Sequence, residues 1–105
     1  MSGISTHVLD TAGGKPAAGI PVHLFRQNDE LGSGVTNEDG RCPALLRSDA
    51  QLEAGIYRLV FDIRTKFPNS FYPLIDISFR VADPSVHYHV PLLLSPFGYT
   101  TYRGS

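Results

Sequence analysis

Histidine is the residue type in this 105-residue sequence that most readily supports chemistry, since imidazole titrates near pH 6.5 and can act as a base, an acid or a metal ligand. His87 and His89 are two residues apart in a segment with strand character, so we expect both side chains on one face of a strand. His7 belongs to the first predicted strand, on the face that also carries Ser5. These positions predict a site that either transfers protons or binds a metal.

The metal interpretation depends on the His-x-His motif. Together with a distant third histidine, such a motif can form a three-histidine zinc site with an open coordination position. The rings of metal-ligating histidines are often oriented by a neighbouring carboxylate, but no Asp or Glu flanks His87 or His89. We therefore expect no metal, and a zinc hydrolase using His7, His87 and His89 remains the alternative.

Three other residues could carry chemistry. Arg41 follows an Asp-Gly turn, which would hold its guanidinium at the start of a strand, although spacing alone also fits a solvated arginine. Cys42 is the single cysteine, which excludes an intrachain disulfide, and no motif surrounds it, so we expect a buried, inert thiol. Ser95 lacks a Gly-x-Ser-x-Gly setting and is predicted to be a turn residue.

The elements that must position these residues are strands. Eight prolines and ten glycines are spread along the chain, and both residue types interrupt helices. Period-two alternation predicts seven or eight short strands, the clearest at residues 4–10, 20–26, 41–46, 55–63, 74–81, 86–94 and 99–103. Residues 28–34 are predicted to be a polar loop, and residues 64–70 are the remaining place for a helical turn. This pattern indicates an all-β sandwich or barrel.

Composition limits the possible partners. Nine basic and ten acidic residues give a formal charge of −1, so we expect neither nucleic acid nor an acidic membrane as a partner. Charged residues make up 18% of the chain, fewer than the quarter or so that is usual in a soluble domain. This deficit predicts contacts between subunits.

Targeting signals are not apparent in the sequence. The first residues contain no basic region followed by an apolar one, and the longest apolar run, residues 90–94, is far too short to span a membrane. We therefore expect a cytoplasmic protein, with a processed periplasmic form as the alternative.

Three segments resemble one known family. HYHVPLLLSPFGYTTYRGS at residues 87–105 is similar to the C-terminal signature of the 5-hydroxyisourate hydrolases, the transthyretin-related enzymes of urate breakdown. STHVLDT at residues 5–11, followed by GKPA at residues 14–17, resembles the N-terminal signature, and TNEDGR at residues 36–41 resembles the central motif. The resemblance covers essentially the whole chain. It departs at residues 64–71, which are shorter than the usual helix-bearing segment.

The resemblance implies a fold and an assembly. The fold would be a transthyretin-like β-sandwich of two four-stranded sheets with one short helix, formed as a single domain by residues 1–105. The assembly would be a homotetramer with active sites at the dimer–dimer interface. Transthyretin itself, a hormone carrier, replaces the histidines and the arginine and lacks this C-terminus, so the enzyme branch is the better match.

The resemblance also implies a reaction in purine degradation. A cyclic amidohydrolase of this kind cleaves the N1–C6 amide bond of 5-hydroxyisourate, a small molecule, to give 2-oxo-4-hydroxy-4-carboxy-5-ureidoimidazoline without a cofactor. The implied catalytic residues are His7, Arg41 and His89, with one histidine as the base. The residues expected to bind substrate or support the site follow from the same motifs: Tyr102, Arg103, Ser105 and His87. A small-molecule carrier without turnover remains a second alternative. His23 lies outside the family motifs and is expected to be structural.

Overall fold

A computed structural model describes residues 3–105 as a β-sandwich. Met1 and Ser2, the first two residues of the predicted domain, lie outside the described residues. The strands of the described chain are β1 (Gly3–Asp10), β2 (Lys15–Pro16), β3 (Pro21–Arg26), β4 (Asp29–Val35), β5 (Arg41–Cys42), β6 (Gly55–Asp62), β7 (Leu74–Val81), β8 (His87–Ser95) and β9 (Gly98–Thr101).

The strands form two sheets, as predicted. The first has the order β2-β1-β8-β9, and β5 also pairs with β1, which makes this sheet five-stranded rather than four-stranded. The extra strand fits because β2 and β5 are only two residues long and pair with successive stretches of β1. The second sheet has the order β4-β3-β6-β7. Strands β1 and β8 are parallel, whereas the other neighbours are antiparallel.

The core lies between the two sheets and follows the period-two alternation of the sequence. In β6, Tyr57, Leu59 and Phe61 are fully buried, and in β1, Ile4 and Val8 are fully buried. Burial of each large apolar side chain contributes about 1.5–3 kcal/mol. The same alternation turns Ser5 and His7 of β1 to the outer face of the first sheet, away from the core.

The predicted short helix is absent from residues 3–105. Residues 64–70 instead form turns, in which the Phe67 N–H donates to the Ile63 carbonyl (2.8 Å) and the Ser70 N–H donates to the Phe67 carbonyl (3.1 Å). Pro68 has no N–H to continue a helical ladder, which limits the segment to these turns. No helix long and apolar enough to cross a membrane occurs in the described chain.

Two strand predictions need correction. Residues 28–34, predicted to be a polar loop, largely belong to β4, which pairs with β3 at the edge of the second sheet. The segment has a composition typical of a loop in part because position 32 requires glycine, since a Cβ there would overlap the Leu45 carbonyl oxygen. The strand predicted at residues 41–46 is limited to β5, since Pro43 has no N–H for a sheet ladder.

Candidate active site

A cleft of about 520 Å³ opens on the outer face of the first sheet, where β1, β5, β8 and the C-terminal segment meet. The alternation of β1 and β8 supplies most of its polar side chains. The residues that line it are Ser5, Thr6, His7, Arg41, Pro43, His87, His89, Pro91, Tyr102, Gly104 and Ser105.

Strand register brings residues from distant parts of the chain into this cleft. Ser5 of β1 is the register partner of His89 in the parallel strand β8. On the other side of β1, His7 is the register partner of Arg41 in the antiparallel strand β5. Partners in register lie on the same face of a sheet. The two histidines and the arginine therefore converge although they are far apart in sequence.

Arg41 is held by the turn that precedes it. The Asn37 side-chain oxygen accepts hydrogen bonds from the N–H groups of Asp39 (2.9 Å) and Arg41 (3.0 Å). Gly40 has φ 73°, a left-handed conformation that glycine adopts without steric cost. The predicted Asp-Gly turn is thus present, and it fixes the backbone from which the guanidinium extends.

The C-terminal segment reaches the cleft through one backbone contact. The Gly104 N–H donates to the His89 carbonyl oxygen at 2.8 Å, and the two residues form an isolated antiparallel bridge. The backbone of Gly104 packs against the His89 ring so closely that a Cβ there would lie 2.6 Å from His89 Cδ2. This contact places Tyr102 and Ser105 at the rim of the cleft.

Ser5 joins two of the histidines. Its Oγ lies 2.7 Å from His87 Nε2 and 2.8 Å from His89 Nδ1. The serine is buried and its two partners are more accessible. Sequence reasoning placed Ser5 on the face of His7 but assigned it no role; that shared face was the available signal.

The environment of His89 favours a neutral imidazole. Burial lowers the pKa of His89 from 6.5, and the charges of Arg41, His7 and His87 lower it further, while hydrogen bonding to the Ser5 backbone raises it. No acidic side chain is among the lining residues of the described chain, so the nearby ionisable side chains are mainly basic. A neutral imidazole is the form that can accept a proton.

The structure brings together six of the seven residues predicted for the site: His7, Arg41, His87, His89, Tyr102 and Ser105. The seventh, Arg103, does not line the cleft. Its guanidinium lies over the Tyr88 ring, 4.8 Å from the ring centroid. Its predicted role in substrate binding stays a prediction.

The remaining candidates lie outside the cleft. His23 is on the second sheet, where its Nδ1 lies 2.8 Å from a Glu30 carboxylate oxygen. Cys42 is buried, and burial raises the pKa of its thiol, which favours the unreactive protonated form. The Ser95 hydroxyl donates to the Gly98 carbonyl oxygen at 3.0 Å, within a turn.

The residues present do not fit a zinc centre. Within residues 3–105, no three His, Cys, Asp or Glu side chains are grouped so that they could hold a metal ion. His87 and His89 instead direct ring nitrogens at Ser5. This geometry gives no support to the three-histidine alternative.

A two-sheet sandwich with histidines and an arginine on the outer face of one sheet defines a transthyretin-like protein with a candidate acid–base cleft. The sequence model of the HIUase/Transthyretin family matches residues 4–104. The chain belongs to the HIUase/Transthyretin family.

A curated relative extends the match beyond the family level. The protein named 5-hydroxyisourate hydrolase from Mesorhizobium japonicum is 48% identical over 114 residues, covering 97% of this chain and 91% of the relative. This match over nearly the whole chain confirms the resemblance to the 5-hydroxyisourate hydrolases.

Two solved structures separate the enzyme branch from the carrier branch. The 5-hydroxyisourate hydrolase of Klebsiella pneumoniae superposes with a TM-score of 0.88 at 38% identity, covering 100% of both chains. Sea bream transthyretin, solved in complex with thyroxine, superposes with a TM-score of 0.86 at 28% identity, covering 96% of this chain and 93% of its own. The backbones therefore differ little, and the sequence similarity favours the hydrolase over the carrier.

Proposed function

We propose that this protein hydrolyses the N1–C6 amide bond of 5-hydroxyisourate and yields 2-oxo-4-hydroxy-4-carboxy-5-ureidoimidazoline. The observation that carries the proposal is the convergence of His7, Arg41 and His89 in one cleft of a chain 48% identical to a protein named 5-hydroxyisourate hydrolase. The cleft has the size of a small-molecule site. Its side chains include bases and a cation but no acidic group among the described lining residues.

The histidines supply the base. A neutral imidazole of His7 or His89 removes a proton from water, and the water oxygen attacks the C6 carbonyl carbon. The C6–N1 bond then breaks, and the imidazolium returns the proton to N1, so that the enzyme ends in its starting state. The second histidine orients the water or the substrate. One positioned acid–base group is typically worth about 10²–10⁴ in rate.

Arg41 supplies the positive charge. As water attacks, negative charge develops on the C6 oxygen, and a guanidinium positioned beside that oxygen stabilises the charge. Its planar arrangement of donors also suits the paired carbonyl and ring-nitrogen acceptors of the substrate. Tyr102 and Ser105, at the rim of the cleft, hydrogen-bond the substrate and close the site.

The test follows the ultraviolet absorbance of freshly prepared 5-hydroxyisourate with and without the protein. We expect faster decay at micromolar protein than the spontaneous rate. A decay rate equal to that of the buffer control would contradict the proposal. If the compound is bound tightly without being consumed, the carrier alternative is correct instead.

We also propose that the protein acts as a homotetramer with its sites at the dimer–dimer interface. Strands β7 and β9 each lie at one edge of a sheet, and unpaired edges readily pair with another chain. Large apolar side chains are exposed nearby, with Phe71 66% and Phe97 81% accessible. Light scattering coupled to size exclusion should give four times the 11.5 kDa chain mass; a fully active monomer would contradict this assembly.

A further inference from the structure

The hydroxyl of Ser5 hydrogen-bonds to both neighbouring imidazoles, and it uses its own proton in these contacts only if the two rings carry their protons differently. A serine hydroxyl has one proton to donate and lone pairs to accept with. The Ser5 Oγ lies within hydrogen-bond distance of His87 Nε2 and of His89 Nδ1. If both nitrogens lacked protons, one contact would place two lone pairs against each other. If both carried protons, both would donate to Oγ, and the proton of this buried hydroxyl would have no acceptor among its two hydrogen-bond partners in the described chain. The arrangement that satisfies both contacts with one hydroxyl proton has an N–H on one ring and a bare nitrogen on the other.

Two arrangements of donors and acceptors, called the first and the second order below, meet this condition. In the first, Ser5 donates to His87 Nε2 and accepts from His89 Nδ1–H, which leaves His89 Nε2 without a proton. In the second, His87 Nε2–H donates to Ser5, Ser5 donates to His89 Nδ1, and His89 Nε2 carries the proton. The two orders have opposite consequences for His89, because only the first leaves its Nε2 free to accept a proton.

The surroundings of His89 favour the first order. The Ser5 backbone raises the pKa of His89, which is the effect of a carbonyl oxygen facing a ring N–H. A proton on His89 Nδ1 has Ser5 Oγ as its acceptor, 2.8 Å away. His87 is exposed, so water can accept from its remaining N–H when its Nε2 accepts from Ser5.

We propose that Ser5 is a positioning residue that donates to His87 Nε2 and accepts from His89 Nδ1, and thereby holds His89 in the tautomer whose Nε2 is the general base. The catalytic part of this inference rests on the proposed hydrolysis; the tautomer part does not. It also gives His87 a function. By accepting a hydrogen bond from Ser5, His87 polarises the hydroxyl, whose oxygen becomes a better acceptor for the Nδ1–H of a protonated His89.

Imidazole nitrogen NMR tests the tautomers directly. In protein labelled with ¹⁵N-histidine, long-range ¹⁵N–¹H spectra distinguish a protonated from a bare ring nitrogen. For the wild-type protein at a pH where His89 is neutral, we expect a proton on His89 Nδ1, a bare His89 Nε2 and a bare His87 Nε2. A proton on His89 Nε2 would overturn the inference, and this measurement needs neither a variant nor catalytic activity.

Kinetics test the consequence for catalysis. We expect Ser5→Ala to lower kcat by about 10- to 100-fold, by analogy with the loss on removing the hydrogen-bond partner of a metal-ligating histidine, with little change in KM. Ser5→Thr keeps the hydroxyl and should recover most of kcat. Thr11→Val is a matched control. The Thr11 hydroxyl, directly after the end of β1, also donates to β8, at the Leu94 carbonyl oxygen (2.6 Å), but it lies outside the cleft.

The outcomes separate the two proposals. Wild-type kcat in Ser5→Ala, or an unchanged His89 tautomer in its spectrum, would overturn the role of Ser5 while the proposed hydrolysis stands. If the wild-type protein does not hydrolyse 5-hydroxyisourate, the proposed function fails and the spectra still decide the tautomers. If Ser5→Ala does not fold, the wild-type spectrum alone decides.

Discussion

His7 and Arg41 are directly opposed register partners on the antiparallel strands β1 and β5. Opposed residues of an antiparallel pair have Cα atoms about 4.5–5.5 Å apart and side chains on the same face. A two-residue strand is therefore sufficient to place an arginine beside a histidine that lies far from it in sequence. The turn before β5 is consequently as important to the site as the long strands are.

Replacement of either cleft histidine should remove most of the activity. We expect His7→Asn and His89→Asn each to lower kcat by about 10²–10⁴ while the fold is retained, because asparagine keeps a polar side chain but cannot act as a base at neutral pH. The measurement is the decay of 5-hydroxyisourate, corrected for the spontaneous reaction.

His23→Asn is the control for these variants. His23 lies on the second sheet in an exposed pair with Glu30, and such pairs contribute about 0–1 kcal/mol. Its activity should equal that of the wild-type protein. Full activity in either cleft variant would show that the histidine concerned is not the base.

Asn37 should affect catalysis without touching the substrate. Its side-chain oxygen accepts from the N–H groups of Asp39 and Arg41, so Asn37→Ala removes both bonds and loosens the backbone that carries the guanidinium. We expect a loss of about 1–2 kcal/mol of stability and a several-fold fall in kcat/KM. Asn37→Asp keeps an acceptor oxygen and should lie between Asn37→Ala and wild type; equal loss in both variants would contradict this role.

The fold was predictable from sequence where burial alone determines the alternation of apolar and polar residues. Strands β6 and β7 alternate between buried and exposed residues along their length, so period two reveals them directly. Strand β4 was missed because it is an edge strand with two glycines, one of which is required by the Leu45 carbonyl oxygen. Such a contact between distant backbones leaves no periodic signal in the sequence.

The site was predictable as a set of residues but not as a geometry. The motifs identify His7, Arg41 and His89, whose convergence the structure shows. The two hydrogen bonds of Ser5 depend on the parallel register between β1 and β8, which are separated by most of the chain. The position of Arg103 over Tyr88 likewise depends on the path of the C-terminal segment, which strand periodicity does not describe.

The pH dependence should report the environment of His89. Burial first, and then the charges of Arg41, His7 and His87, lower the pKa of His89 below 6.5. A lowered pKa keeps the ring neutral to lower pH, so with His89 as the base the acid limb of kcat/KM should lie below pH 6.5. The position of the acid limb is measured from kcat/KM determined over the range from acidic to neutral pH.

Arg41→Gln tests whether the charge of Arg41 helps to lower the pKa of His89. Removing the guanidinium removes one of the charges that lower the pKa of His89, so the acid limb should move towards higher pH. Activity should also fall by about 10²–10³, the usual loss when an oxyanion-stabilising donor is removed. An acid limb that stays in place would show that Arg41 does not act on the titrating base.

Gly104 should be intolerant of even one added carbon, for a reason specific to the site. A Cβ at this position would lie 2.6 Å from His89 Cδ2 and 3.2 Å from Pro91 Cγ, so Gly104→Ala must displace either the His89 ring or the C-terminal segment that carries Ser105. We expect a fall in kcat of about 10-fold or more, since small misplacements of a reacting group are costly. The melting temperature should change little, because Gly104 lies near the chain end and outside the core. Gly98→Ala is the matched control, as its Cβ would meet only Ser95 Oγ at an ordinary 3.6 Å. Equal activities of the two variants would mean that the contact between Gly104 and His89 does not position the base.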